Sequence, residues 1–186
     1  IEFGELWGET DKPEVWGQLS ELMEREWAGM PISLMGVDAG YRTDEVLAWV
    51  RKYRGRARAL MGFQRLNKPF TMTRLEVSKQ GKIRKNGDRR WDFDASLAKA
   101  WVHNRIRWKR GQAGDWLLPS DVTEDYCKQI VAEEFDEESG AWRRVHKDNH
   151  YLDCEGMQYM CARMLRVDRL KVVSGENESA ESDSSE

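Results

Sequence analysis

The chain has 186 residues, 40% hydrophobic and 34% charged, which suits one globular domain, or one with a tail, able to bury a core without disulfides or structural metal. No apolar run nears the roughly 20 residues a membrane helix needs, no secretory signal opens the chain, and Cys127, Cys154 and Cys161 show no Cys-x-x-Cys spacing, which argues against a disulfide framework. The net charge of −3 conceals a segregation: residues 51–110 hold 19 Lys and Arg against four acids (Glu76, Asp88, Asp92 and Asp94), a local net of +15, so the remainder is strongly acidic.

Residues 1–12 read as irregular. From Lys12 to Trp27 the positions Val15, Trp16, Leu19, Leu22, Met23 and Trp27 recur at helical spacing, with Pro13 suited to a first turn. The apolar run Ile32–Gly40 ends in Asp38-Ala39-Gly40 and predicts a buried strand stopped by a turn. Thr43 is placed to cap a helix over 44–54, and Ala57–Phe63 predicts a second strand. Residues 71–94 predict a hairpin, with Met72, Leu75 and Val77 before the turn and Trp91 and Phe93 after it. Its turn candidates are Gln80-Gly81 and Asn86-Gly87-Asp88. A helix is expected over Ala95–Trp108, a short strand over Asp115–Leu118, a helix over Thr123–Phe135, a strand over Trp142–Val145 and a long helix from Asn149 to Leu165. Alternating strands and helices predict an α/β fold with a mixed sheet flanked by helices on both faces. Residues 174–186 have five acids, no base and no large apolar side chain, the composition of a disordered tail.

The basic block predicts a polyanion-facing surface, with Arg65, Lys68, Arg89 and Arg90 as candidate DNA contacts. Asp38 ends one strand candidate and Asp94 another; taken singly, each reads as a turn or cap residue. Asp153 shares a helical stripe with Met157, Met160 and Met164, where a carboxylate needs a partner. Two strand ends and a helix start can converge at one sheet edge, and three hard oxygen donors there suit Mg²⁺ or Mn²⁺. Two such ions would promote phosphodiester hydrolysis. His146, His150 and Cys154 have a zinc-capable spacing, but Asp148-Asn149 reads as the helix start and leaves His146 outside. No GxxxxGK[ST] segment occurs, so ATP hydrolysis is not expected.

Val37-Asp38-Ala39-Gly40 with Thr43-Asp44-Glu45-Val46, Trp91-Asp92-Phe93-Asp94 with Leu97 and Lys99, then Trp142 and Asn149-His150-Tyr151-Leu152-Asp153, together resemble the nuclease domain of phage large terminase subunits, in the lambda-like branch. The segment Phe3-Gly4-Glu5 followed by Val15-Trp16 resembles that family's lead-in from its ATPase domain. The resemblance implies an RNase H-like fold over residues 31–173, preceded by a lead-in over 1–30. It implies a two-metal endonuclease that cuts concatemeric viral DNA during packaging. Asp38, Asp94 and Asp153 would be the metal-binding acids, Asp92 the alternative to Asp94, Asp44 an accessory acid and Lys99 a phosphate contact. Where the family often has Lys-Gly at the end of the second strand, this chain has Met61-Gly62. Implied partners are double-stranded DNA, the ATPase domain, the small terminase subunit and the portal or procapsid, in the cytoplasm of a phage-infected or prophage-carrying bacterium. A start at Ile1 rather than Met fits a piece of a longer protein. Two other readings of the same residues are a DNA clamp or docking module without catalysis, and a resolvase- or transposase-like nuclease.

Overall fold

The computed structural model describes residues 2–75, 87–112 and 114–170. The acidic segment 174–186, Val77 and most of the predicted hairpin turn lie outside these residues.

Pro13 occupies the first turn of α1 (Pro13–Glu24). The helix stops three residues short of Trp27 because Arg25 is extended and the chain reverses into a small ribbon, β1 (Glu26–Trp27) paired with β2 (Met30–Pro31). The apolar run predicted as a strand contributes only its last part, β3 (Met35–Asp38). Next comes α2 (Thr43–Lys52). Its N-cap is Arg42, in the left-handed region at φ 51°, and not Thr43 as the sequence suggested. Thr43 instead donates its hydroxyl to the Ala39 carbonyl at 2.8 Å. The strand β4 (Ala57–Phe63) matches its prediction residue for residue. The expected hairpin is present as β5 (Phe70–Arg74) against β6 (Arg89–Asp94), in antiparallel register. Directly after it runs α3 (Ala95–Ile106).

Two expectations fail in the next stretch. Residues 115–118 form no strand. The helix predicted over Thr123–Phe135 divides into α4 (Glu124–Ile130) and β7 (Glu133–Asp136). Thr123 caps α4 through its hydroxyl, which accepts the Tyr126 N–H at 3.1 Å. Beyond Val131 the chain pairs with β8 (Ala141–Arg144), with Glu133 opposite Arg144 and Glu134 opposite Arg143. Those two opposite-charge pairs favour the hairpin over continued helix. The last long helix, α5 (His150–Met164), lies where Asn149–Leu165 was expected.

The central sheet has the order β3-β4-β6-β5. Its first three strands are parallel and β5 is antiparallel. The chain is therefore a mixed α/β fold with helices on both faces of a mixed sheet. On β4, Ala59 joins Ala39, Val46 and Leu47 beneath α2, while Leu60 joins Phe93, Ala98, Met160 and Cys161 beneath α3 and α5. Gly36 allows that second face to close: a Cβ there would lie 2.5 Å from Leu60 Cδ1 and 3.0 Å from Cys161 Sγ. Gly156 does the same where α5 crosses α3 at Ala98. At the start of β6, Asp88 is buried and held by Arg51, whose Nε donates to it at 2.7 Å. That hydrogen bond holds Asp88 below the usual carboxylate range. Its contribution to stability is complete above the ordinary carboxylate pKa and is lost as pH falls through the depressed one.

Candidate active site

Because β3, β4 and β6 run parallel, Asp38 and Asp94 both finish strands at one edge of the sheet. The register separates them. Asp38 stands beside Leu60, whose side chain faces α5, whereas Asp94 stands beside Phe63, three residues further along β4 and so on the opposite face. Asp38 is exposed; its Oδ1 accepts the Gly40 N–H at 2.9 Å, the turn role expected of such a residue. Among the described residues its Oδ2 has no hydrogen-bond partner.

Asp94 is buried, and both its oxygens are occupied by backbone. Oδ1 accepts the Leu97 N–H at 2.8 Å, capping α3, and Oδ2 accepts the Leu66 N–H at 3.0 Å. The expectation that Asp94 meets Asp38 and Asp153 is therefore not what this geometry gives. Asp92, its alternative, is equally engaged: Thr73 Oγ1 and Arg90 Nε each donate to it at 2.6 Å. Asp94→Asn keeps an acceptor for the cap, but its amide NH₂ would face the Leu66 N–H donor in place of an oxygen, so the substitution should cost about 1–3 kcal/mol. Cutting by the folded variant should survive; loss of cutting in a variant that remains folded would return Asp94 to the metal set.

Asp153, in the first turn of α5, is half exposed. Burial raises its pKa, Lys99 opposes the shift, and Glu133 and Asp38 add to it. Asp38 and Asp153 thus lie within electrostatic reach of each other. The third carboxylate in that field is Glu133, at the start of β7, which the sequence reading did not single out. Glu133 is buried, with Lys99 Nζ at 2.7 Å from one oxygen and Asn149 Nδ2 donating to the other at 2.7 Å. The same Lys99 lies 3.8 Å from Asp153 Oδ1, and the same Asn149 donates to Asp153 Oδ2 at 3.0 Å. Arg144 closes the network by donating to Asn149 Oδ1 at 3.1 Å. A buried carboxylate is tolerated only when it is paired and hydrogen-bonded, and Glu133 is both.

The other expected residues divide by position. Lys99 is committed to Glu133 and Asp153, and Arg90 to Asp92, so neither is a free phosphate contact. Arg65 and Lys68 are exposed in the loop that Asp94 grips, at the acid edge, while Arg89 begins β6 at the opposite edge. Asp44 is exposed in the first turn of α2. Burial pushes the Cys161 thiol up to about 11, which leaves it protonated at neutral pH and unsuited to nucleophilic work. Among the described residues no three of His, Cys, Asp and Glu form a ready-made metal cage, and His146, His150 and Cys154 form none. The donor chemistry nonetheless suits a hard cation. Asp38 offers an oxygen with no hydrogen-bond partner among the described residues, and Asp153, within its electrostatic reach, lies beside the Lys99 ammonium.

The family model described as terminase large subunit gpA, endonuclease domain, matches residues 1–172. No curated protein and no solved structure matches the chain.

Proposed function

The chain belongs to the family of terminase large subunit gpA endonuclease domains, whose nuclease role lies in DNA packaging, and from that membership we propose that it is a metal-dependent endonuclease that cuts concatemeric viral DNA as genomes enter procapsids. The observation that supports this best is the pairing of Glu133 and Asp153 through Lys99 and Asn149, with the Asp38 carboxylate within electrostatic reach of Asp153. Asp38 and Asp153 would hold Mg²⁺ or Mn²⁺. Such ions supply Lewis-acid stabilisation of phosphodiester charge and lower the pKa of bound water; two of them are the arrangement we propose. Asn149 orients the Asp153 carboxylate, and Glu133 anchors Lys99 so that its ammonium stays beside it. The exposed Arg65 and Lys68 lie at the same edge, where a phosphate backbone can approach.

The mixed sheet, with acids at the ends of parallel strands, is compatible with an RNase H-like site, which is part of this reading. So are an adjoining ATPase domain, a small terminase subunit, a portal or procapsid, and action in the cytoplasm of a bacterium that carries the phage. The test is nicking of supercoiled plasmid. Mn²⁺ or Mg²⁺ should support nicking and EDTA should stop it. Nicking that persists in EDTA would refute metal dependence. Binding without nicking under any ion would favour the clamp reading.

A further inference from the structure

The strands β4 and β6 begin at the sheet edge opposite Asp38 and Asp94. In their parallel register Ala59 faces Arg90, so the preceding residues, Arg58 and Arg89, stand side by side. In the antiparallel pair Arg89 faces Arg74 directly. Arg58, Arg89 and Arg74 therefore form one row across three neighbouring strands, on the face that carries Leu60 and Trp91. At about 4.8 Å per strand the row is roughly 10 Å long.

Like charges directly opposite each other in a sheet destabilise it. Nothing nearby relieves this row: among the described residues neither Arg74 nor Arg89 has an ion pair or side-chain hydrogen bond. Arg58 is fixed in place, its Nη1 donating to the Ala57 carbonyl at 2.8 Å and its guanidinium lying 5.8 Å from the centre of the Trp91 ring. Next to Arg58 and Arg89 opens a cavity of about 300 Å³, also lined by Arg51 and Arg54, with Asp88 the one acid in its wall among the described residues. Arg51 already holds Asp88, so among the described residues Arg54, Arg58 and Arg89 have no carboxylate of their own at ion-pair distance.

We propose that this arginine row is a phosphate-backbone site for duplex DNA, separate from the acidic site. A row roughly 10 Å long is more than one phosphate spans, whereas a DNA strand presents a phosphate for about every 3.4 Å of axis. The seven residues of β4 put roughly 20 Å between the two sheet edges. The row can thus bind whether or not the acids cut, and its role is to hold the duplex.

The test is fluorescence anisotropy of a labelled 20-base-pair duplex in EDTA, with the intact chain. Arg74→Ala/Arg89→Ala should weaken binding roughly tenfold and lower the slope of log affinity against log salt by about 1.8. Its Tm should stay level or rise, because a like-charge contact is removed. Arg74→Lys/Arg89→Lys should retain most of the binding, and Lys128→Ala/Lys147→Ala, which removes equal charge elsewhere, should leave it nearly unchanged. Asp38→Ala, which removes one negative charge, should bind the duplex at least as tightly as the parent in EDTA while losing nicking in Mn²⁺, which separates this proposal from the nuclease reading. If the double arginine variant binds like the parent, or no worse than the Lys128/Lys147 variant, the proposal is overturned. It also falls if inorganic phosphate or pyrophosphate raises the parent's Tm while the arginine changes leave duplex binding intact, the result expected of a free-phosphate pocket.

Discussion

Glu133→Ala is expected to cost about 3–5 kcal/mol of folding stability, the range for removing one partner of a buried ion pair. The cost comes from what is left behind. Lys99 is only 16% exposed, and without Glu133 its remaining acidic neighbour is Asp153, 3.8 Å away. Asn149 loses an acceptor at 2.7 Å in the same stroke. Urea unfolding of parent and variant measures the loss. Glu133→Gln, which can still accept from Asn149 but not balance the ammonium, should fall between the two. Lys99→Met/Glu133→Met should recover part of the loss, because removing both charges leaves none uncompensated. A Glu133→Ala protein within 1 kcal/mol of the parent would mean that the pair is not formed as described.

Asp38→Ala should behave in the opposite way. Its side chain is exposed and its one hydrogen bond joins Gly40, so the stability cost should stay near about 1 kcal/mol. Its effect on cutting should be far larger. Losing a metal-holding carboxylate removes several kcal/mol of transition-state stabilisation, and each 1.4 kcal/mol or so is tenfold, so plasmid nicking should drop by roughly a thousandfold. Asp153→Ala should match it in activity and should also weaken Mn²⁺ binding in a calorimetric titration. Equal nicking by Asp38→Ala and parent would remove the first ligand and with it the proposed site.

Legibility differed by element, for physical reasons. β4 was readable because the short, mainly apolar run Ala57–Phe63, broken only by Arg58 and bounded by Arg56 and the polar Gln64, suits a strand with apolar side chains toward both faces. α5 was readable from its Met stripe, and Met160 is indeed fully buried. The stretch 123–135 was not, because Ile130-Val131-Ala132 suits a helix and a strand equally. What decides there is pairing with Arg143 and Arg144 across a turn, a contact that no local window contains. Placing Glu133 on a helix face hid it, and with it the partner of Lys99. Asp153 was flagged as a carboxylate in need of company, and the structure supplies that company in Asn149 and Lys99. At Asp94 the modest reading, a helix cap, describes the geometry. The pattern of strand ends carried no information on which face each acid takes, since one residue of register reverses it.

The acidic site is assembled from pieces far apart in the chain: Lys99 and Glu133 are 34 positions apart, and Asp38 belongs to another strand altogether. Closing such distances costs loop entropy and is slow compared with forming helices or hairpins. The arginines at the other edge all precede Lys99, and a ribosome delivers them before Glu133 and Asp153. On the two proposals made above, synthesis would deliver the DNA-holding row first and complete the cutting site last. A nascent or truncated chain that lacks α5 lacks Asp153 too, so on the proposed reading it would not yet hold a complete site for cutting DNA.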